Sequence, residues 1–118
     1  MTERDEIPPG TLYMLILTTL DRDGELHGFE IANAIRHISE DVLRVEEGSL
    51  YPALQRMLLK GWVKADWGVT SGNRRARYYR LTALGRKQLT AERTQYERVT
   101  AAIARILQPA EGDKRCNG

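Results

Sequence analysis

Apolar residues recur with helical spacing in four places along the chain and alternate, strand-like, in two. The most informative helical stretch runs from Ser49 to Gly61. There Leu50, Ala53, Leu54, Met57 and Leu58 fall at i, i+3, i+4, i+7 and i+8, which makes one apolar stripe. Ser49 is expected to cap this helix, which puts Pro52 in the first turn, where its missing N–H costs no intrahelical bond. Gly61 is expected to end it. The face opposite the stripe carries Tyr51, Pro52, Gln55, Arg56 and Leu59, with Lys60 at its edge. Such a helix has one face for a core and another for something polar.

Trp62 to Trp67 alternates and reads as a strand, and Arg77 to Leu81 alternates again. Between them Gly68 to Ala76 is polar with two glycines and reads as a loop, so the two strands are expected to pair as an antiparallel hairpin. The loop ends in Asn73, Arg74, Arg75, Ala76 and Arg77. A cationic tip beside a polar-faced helix suits a duplex, with the helix in a major groove and the tip on the backbone or in a minor groove. The arrangement is that of a winged helix-turn-helix. Its fold class is mainly α with a small β-hairpin (α+β).

Met1 to Pro9 is polar with a Pro-Pro pair and reads as a mobile arm. Thr11 is the expected cap of the first helix, whose inward face is Leu12, Leu15, Ile16, Thr19 and Leu20. Tyr13, Met14 and Leu17 make it apolar on further sides, so a partner is expected to cover part of it. Asp21 to Gly24 reads as a turn. The second helix follows His27-Gly28, with Ile31, Ala34, Ile35 and Ile38 as its stripe. His27 has two readings, a structural or phosphate-contacting side chain and a metal ligand. The first is favoured because no second ligand stands near it in the sequence. Glu46-Glu47 reads as a dipole-favouring pair at a helix start rather than a catalytic pair, since no nucleophile or metal cluster accompanies it. Trp62 and Trp67, five apart on a strand, point to opposite faces, one closing the core and one covering a junction. Tyr78 and Tyr79 divide likewise.

Thr82 is the expected cap of a last helix reaching Leu107. Leu89, Tyr96 and Ile103 recur at sevens, as do Val99 and Ile106, which makes a short a/d seam. Some 24 residues of helix span about 36 Å, more than a domain of this size covers by itself. Burial of the seam against a second copy of the chain is the expected outcome. The chain thus divides into an arm (1–9), a winged helix-turn-helix (10–81), a dimerisation helix (82–107) and a polar tail (108–118) expected to be disordered.

Composition changes this picture little. With 118 residues, 42% hydrophobic and 29% charged, the chain is of the size and kind of one soluble domain. The longest apolar run, Leu12 to Leu17, is too short to span a bilayer and no leader precedes it, so a cytoplasmic location is expected. A single cysteine, Cys116, excludes an internal disulfide. Charge distribution says more than the net of +2. Residues 1–55 hold 4 basic and 11 acidic side chains, residues 56–87 hold 9 and 1, and residues 88–118 hold 5 and 4. The positive block coincides with the end of the polar-faced helix and the hairpin. No phosphate loop, nucleophile elbow or metal-ligand spacing is present, so no cofactor and no enzymatic activity are expected.

The segment GSLYPALQRM, followed by KGWV, a Trp-Gly, NRRARYYRLT and LGR, resembles the PadR family of bacterial transcriptional regulators. GTLYMLILTTL and HGFEIANAI resemble that family's first two helices. The resemblance covers residues 10 to 107 and implies a dimeric winged helix-turn-helix protein that binds operator DNA, usually as a repressor. It also places the chain with the family's short members, which end after one long helix. On this reading Ser49, Tyr51, Pro52, Gln55, Arg56 and Lys60 lie near the groove, with Gln55 and Arg56 best suited to base edges. Asn73, Arg74, Arg75 and Arg77 hold phosphates or enter the minor groove. Leu89, Tyr96, Val99, Ile103 and Ile106 form the dimer interface. Two other classes fit parts of the pattern: a winged-helix module that docks protein, and a sensor with a small-molecule pocket at the dimer interface. Three arginines in four wing positions favour phosphates over protein docking.

Overall fold

The computed structural model describes residues 5–8 and 10–109. The remainder of the expected tail, with Cys116, and the first four residues of the arm lie outside the described residues. Nine elements follow in order: β1 (Asp5–Glu6), α1 (Leu12–Asp23), β2 (Leu26–His27), α2 (Gly28–Ile38), β3 (Leu43–Arg44), α3 (Glu47–Leu59), β4 (Val63–Val69), β5 (Arg75–Leu81) and α4 (Ala83–Leu107). The core lies between α1, α2, α3 and one face of the sheet. Ile16, Leu17 and Leu20 meet Ile31 and Ile35, Leu50, Leu54 and Met57, and Val63 and Tyr79. The α3 stripe is thus the one its spacing predicts, with Leu50, Ala53, Leu54 and Met57 buried and Leu58 partly covered.

The start of α3 differs from expectation. Glu46, not Ser49, is the cap residue, in extended conformation, and its carbonyl accepts the N–H groups of Ser49 and Leu50. Glu47 in the first turn suits the positive end of the helix dipole. Pro52 therefore sits inside the helix rather than in its first turn. The bond it removes would have gone to the carbonyl of Gly48, which is exposed, so water reaches that oxygen and the helix continues. At the other end Gly61 takes the left-handed conformation, φ 78°, that a helix terminus needs.

The hairpin is longer and its loop shorter than the composition of residues 68–76 implies. β4 and β5 pair antiparallel from Val63↔Leu81 through Trp67↔Arg77 to Val69↔Arg75, a register centred on Gly72. Only Thr70 to Arg74 turn the chain. Thr70 N–H donates to Arg74 O at 2.8 Å, Asn73 N–H donates to Thr70 O at 2.9 Å, and Asn73 holds the left-handed corner at φ 63°. This is the three-residue hairpin loop closed by a left-handed residue. A third strand joins the sheet, since β2 pairs with β5 through Leu26↔Tyr79 and His27↔Tyr78.

Further corrections follow from packing. α1 runs through Asp23, past the expected turn at Asp21, and Gly24 caps it with φ 83°. Part of the arm is tied down, because β1 lies parallel to β3 through Asp5↔Leu43 and Glu6↔Arg44. Ile38, expected in the α2 stripe, lies at the very end of that helix and is 52% exposed.

One knot joins the end of α3, the root of the hairpin and the start of α4. Thr82 N–H donates to Trp62 O at 3.0 Å, and its hydroxyl lies 2.7 Å from Gly61 O and accepts Gly85 N–H at 2.9 Å. A Cβ at Gly85 would stand 2.0 Å from the Trp62 carbonyl oxygen. Backbone cannot yield as a side-chain tip does. Gly85→Ala is expected to cost about 1–3 kcal/mol in urea unfolding, the range for overpacking. At Gly48 a Cβ meets nothing within 4 Å. Gly48→Ala should be neutral or stabilise by up to about 1 kcal/mol through helix propensity.

Candidate nucleic-acid interface

The residues expected to face a groove are all exposed, and α3 spreads them over a wide arc. Successive residues turn by about 100° on a helix, so Pro52, Gln55 and Leu59 form its outermost strip. Leu59 is 85% exposed. Tyr51 leans one way, toward the start of α2, and Ser49, Arg56 and Lys60 lean the other. Arg56 Nη1 donates to Tyr13 Oη of α1 at 3.5 Å. Lys60 Nζ lies 5.3 Å from the Trp62 ring, which itself meets the Tyr13 ring edge-on at 5.5 Å. Ser49 lines a cleft of about 330 Å³ with Ile7, Pro8 and Leu12. The structure brings Tyr51 to the wing, and it brings Ser49, Arg56 and Lys60 to the side of α1.

The two faces of the hairpin carry different chemistry. On one face Arg80 is ion-paired to Asp66 and lies 3.9 Å from Glu25. On the other, alternation sets Val63, Ala65, Trp67 and Val69 beside Leu81, Tyr79, Arg77 and Arg75. Val63 and Tyr79 are in the core, and one register step further Trp67 and Arg77 emerge from it. Arg75 Cζ stands 4.4 Å above the Trp67 ring, and Arg77 Cζ stands 5.8 Å from that ring and 6.0 Å from the Tyr79 ring. Arg74, Arg75 and Arg77 make no ion pair with a carboxylate among the described residues. Asn73, expected to touch phosphate, is the residue that makes the turn.

Beside these arginines lies an open cleft of about 580 Å³, lined by Tyr79, Tyr51 and the first residues of α2. His27 caps that helix. Its Nδ1 accepts Glu30 N–H at 3.3 Å while Glu30 Oε1 accepts His27 N–H at 3.1 Å, a reciprocal capping box. The structural reading of His27 is the one the geometry fits. Among the described residues no group of His, Cys, Asp or Glu has the arrangement of a metal site. Burial pushes the Tyr79 hydroxyl above its usual range, Arg77 pulls it back, and Tyr51 pushes it further up. Gly28 admits Tyr51, since a Cβ there would stand 2.6 Å from Tyr51 Oη.

The cleft also contains residues that the periodicity did not single out. Phe29, 67% exposed, stands at its rim. Trp67, 60% exposed, becomes part of the site only through its register with Arg77. The Gly72-Asn73 pair was the available signal, because a turn centred there sets Trp67 opposite Arg77.

Along α4, Leu89 is already buried in the core of its own chain, so it offers no surface to a partner. Beyond it no residue is buried, and Tyr96, Val99, Ile103 and Ile106 are 44%, 41%, 49% and 81% exposed. The first three line a groove of about 720 Å³ against Tyr13 and Met14 of α1.

Three helices, a capped helix-turn-helix and a two-stranded wing define the winged-helix class of regulators. The chain belongs to the PadR-like family of transcriptional regulators, whose pattern matches residues 16–91. A transcriptional regulator of Mycobacterium tuberculosis, Rv3488, is 35% identical over 81 residues, 69% of this chain and 72% of that protein. The crystal structure of a PadR family transcription regulator from Clostridium difficile superposes with a TM-score of 0.71 at 30% identity, over 84% of this chain and all of the other. The fold is also that of Bacillus subtilis PadR, a structure solved with operator DNA (TM-score 0.61, 24% identity, 71% of this chain and 47% of that one). The family is one of transcriptional regulators, not enzymes, and no described helix is long and apolar enough to cross a membrane.

The far end of the Tyr51 ring is free to swing, unlike the backbone at Gly85. Gly28→Ala is therefore expected to fold with a melting temperature close to wild type and with Tyr51 turned out of the cleft. The loss of nuclear Overhauser contacts between the Tyr51 ring and α2 checks this.

Proposed function

We propose that the protein is a repressor that binds an inverted-repeat operator as a homodimer, with α3 in the major groove and the hairpin on the flanking backbone. The observation that carries this reading is the pairing of an exposed polar helix face with guanidinium groups that no described carboxylate neutralises. The operator complex of the Bacillus subtilis relative supports it. Gln55 lies on the outermost strip with Pro52 and Leu59, and a Gln side chain makes paired hydrogen bonds to an adenine edge. Arg56 is the second candidate for base edges, Lys60 and Tyr51 for the backbone, and Arg74, Arg75 and Arg77 for phosphates.

The dimer reading rests on α4. Tyr96, Val99 and Ile103 are half-exposed on a helix that leaves its own domain, and covering the half that remains would contribute about 1 kcal/mol each. Two-fold pairing of α4 helices, each lying in the α1–α4 groove of the other copy, covers them reciprocally. The same groove favours a second reading, in which a small apolar effector lodges between the copies and alters their spacing. Its lining is mostly apolar, with Gln88, Glu92 and Gln95 as its amide and carboxylate side chains.

The decisive measurement is the ratio of operator to random-duplex affinity at one salt concentration. Gln55→Ala is expected to cost about 1–3 kcal/mol on the operator and much less on random duplex. An unchanged ratio would move specificity to the hairpin or to DNA shape. Ile103→Glu places a charge in the dimer seam and is expected to give monomers by light scattering at micromolar concentration, with operator affinity lost. A wild-type protein that stays a folded monomer at high concentration would remove the dimer from this reading.

A further inference from the structure

Arginines on the two faces of the hairpin are held by opposite means. Arg80 is held by carboxylates, which neutralise it. Arg75 and Arg77 are held by ring faces, with Trp67 common to both. A ring attracts a guanidinium through its quadrupole and fixes the plane of the group, yet it adds no negative charge and occupies no N–H. Consistent with this, Arg77 Nε is buried without an acceptor among the described residues. Such guanidinium groups keep their charge for an incoming anion in one preset orientation, with the donors other than the buried Arg77 Nε left to meet it. The anion has a place to sit, because the open cleft beside them is lined by Arg74, Arg75 and Arg77 together with Tyr51 and the start of α2.

We propose that Trp67 is a positioning residue of the interface: its ring presents Arg75 and Arg77 to a backbone phosphate of the duplex that seats at the mouth of this cleft. This rests on the DNA-binding reading above and adds to it an uncharged residue that acts only through two charged ones. Trp67 itself has no charge to give a phosphate, so a change in salt dependence on its removal reports the arginines it holds.

Duplex affinity is to be measured against potassium chloride concentration for the full chain and for Trp67→Ala, Trp67→Phe and Lys64→Ala. Lys64 is exposed on the opposite face of the hairpin. Trp67→Ala is expected to weaken binding roughly tenfold, as loosening two ring-held guanidinium groups would. It should also flatten the log–log salt slope by about 0.9, one phosphate contact, although no charge is removed. Trp67→Phe keeps a ring face and should restore most of both, and Lys64→Ala should change neither greatly.

A second measurement does not depend on Trp67→Ala folding. In Trp62→Phe, Trp67 is the only tryptophan, and its emission should change on titration with duplex. Pyrophosphate is titrated in parallel. A response to duplex alone assigns the seat to the polynucleotide backbone, whereas an equal response to pyrophosphate makes it a free-phosphate site and overturns the assignment. Unaltered slope and affinity in folded Trp67→Ala, with Trp67 emission unmoved by bound duplex, would overturn the positioning role alone. A wild-type protein that binds no duplex at any salt concentration would instead remove the reading on which it rests.

Discussion

The geometry of the molecule depends on one close approach, that of Gly85 to the Trp62 carbonyl. Three functional elements meet there within a few residues: the end of α3 at Leu59, the root of the hairpin at Val63 and Leu81, and the start of α4 at Ala83. Thr82 completes the junction with hydrogen bonds to Gly61, Trp62 and Gly85. A side chain at position 85 would wedge α4 away from the strand. The junction therefore fixes the angle between the long helix and the exposed face of α3. For two copies joined through α4, that angle sets the spacing and orientation of the two α3 helices, and a two-fold DNA site has little tolerance in either.

The second organising fact is that a single face of the hairpin serves as core wall and as outer surface. Alternation in β4 and β5 is unbroken from Val63 to Val69 and from Leu81 back to Arg75, so the side chains on this face form one continuous row. The helices cover the row only as far as Tyr79. Past that point Trp67, Arg77 and Arg75 stand where core residues would have been, on backbone made rigid by the part that is buried. Arg75 and Arg77 consequently project from an ordered sheet rather than from a free loop, so contact with an anion would cost them less conformational entropy.

This is also where sequence pattern is least informative. The stripe of α3 follows from the 3.6-residue period, and burial of Leu50, Ala53, Leu54 and Met57 agrees with it because one period and one core suffice. The start of that helix does not follow, since Ser49 and Pro52 both signal a first turn while the Glu46 carbonyl already accepts the N–H groups of Ser49 and Leu50. The hairpin loop is overestimated for a related reason. Arg75 and Ala76 are unremarkable as strand residues, and their pairing with Val69 and Gly68 depends on the register that Asn73 sets. Leu89 shows a different confusion. A heptad position on a helix can face its own domain at one end and another chain further along, and only the packing of α4 on α1 and β5 separates the two.

Tyr13 links the regions that periodicity treats separately. Its ring stands in the α1–α4 groove and against Trp62, and its hydroxyl accepts the Arg56 guanidinium. Arg56 thus contacts a residue that also lines the groove, whereas Gln55, one residue earlier, has no such contact among the described residues. A second α4 or a small molecule in the groove would share a wall with Tyr13, the residue that Arg56 contacts. Gln55 and the ring-held arginines of the hairpin lie outside that contact. The two flanks of α3 therefore answer to different neighbours: the Tyr51 side to the cleft and wing, and the Arg56 side to the groove along α4.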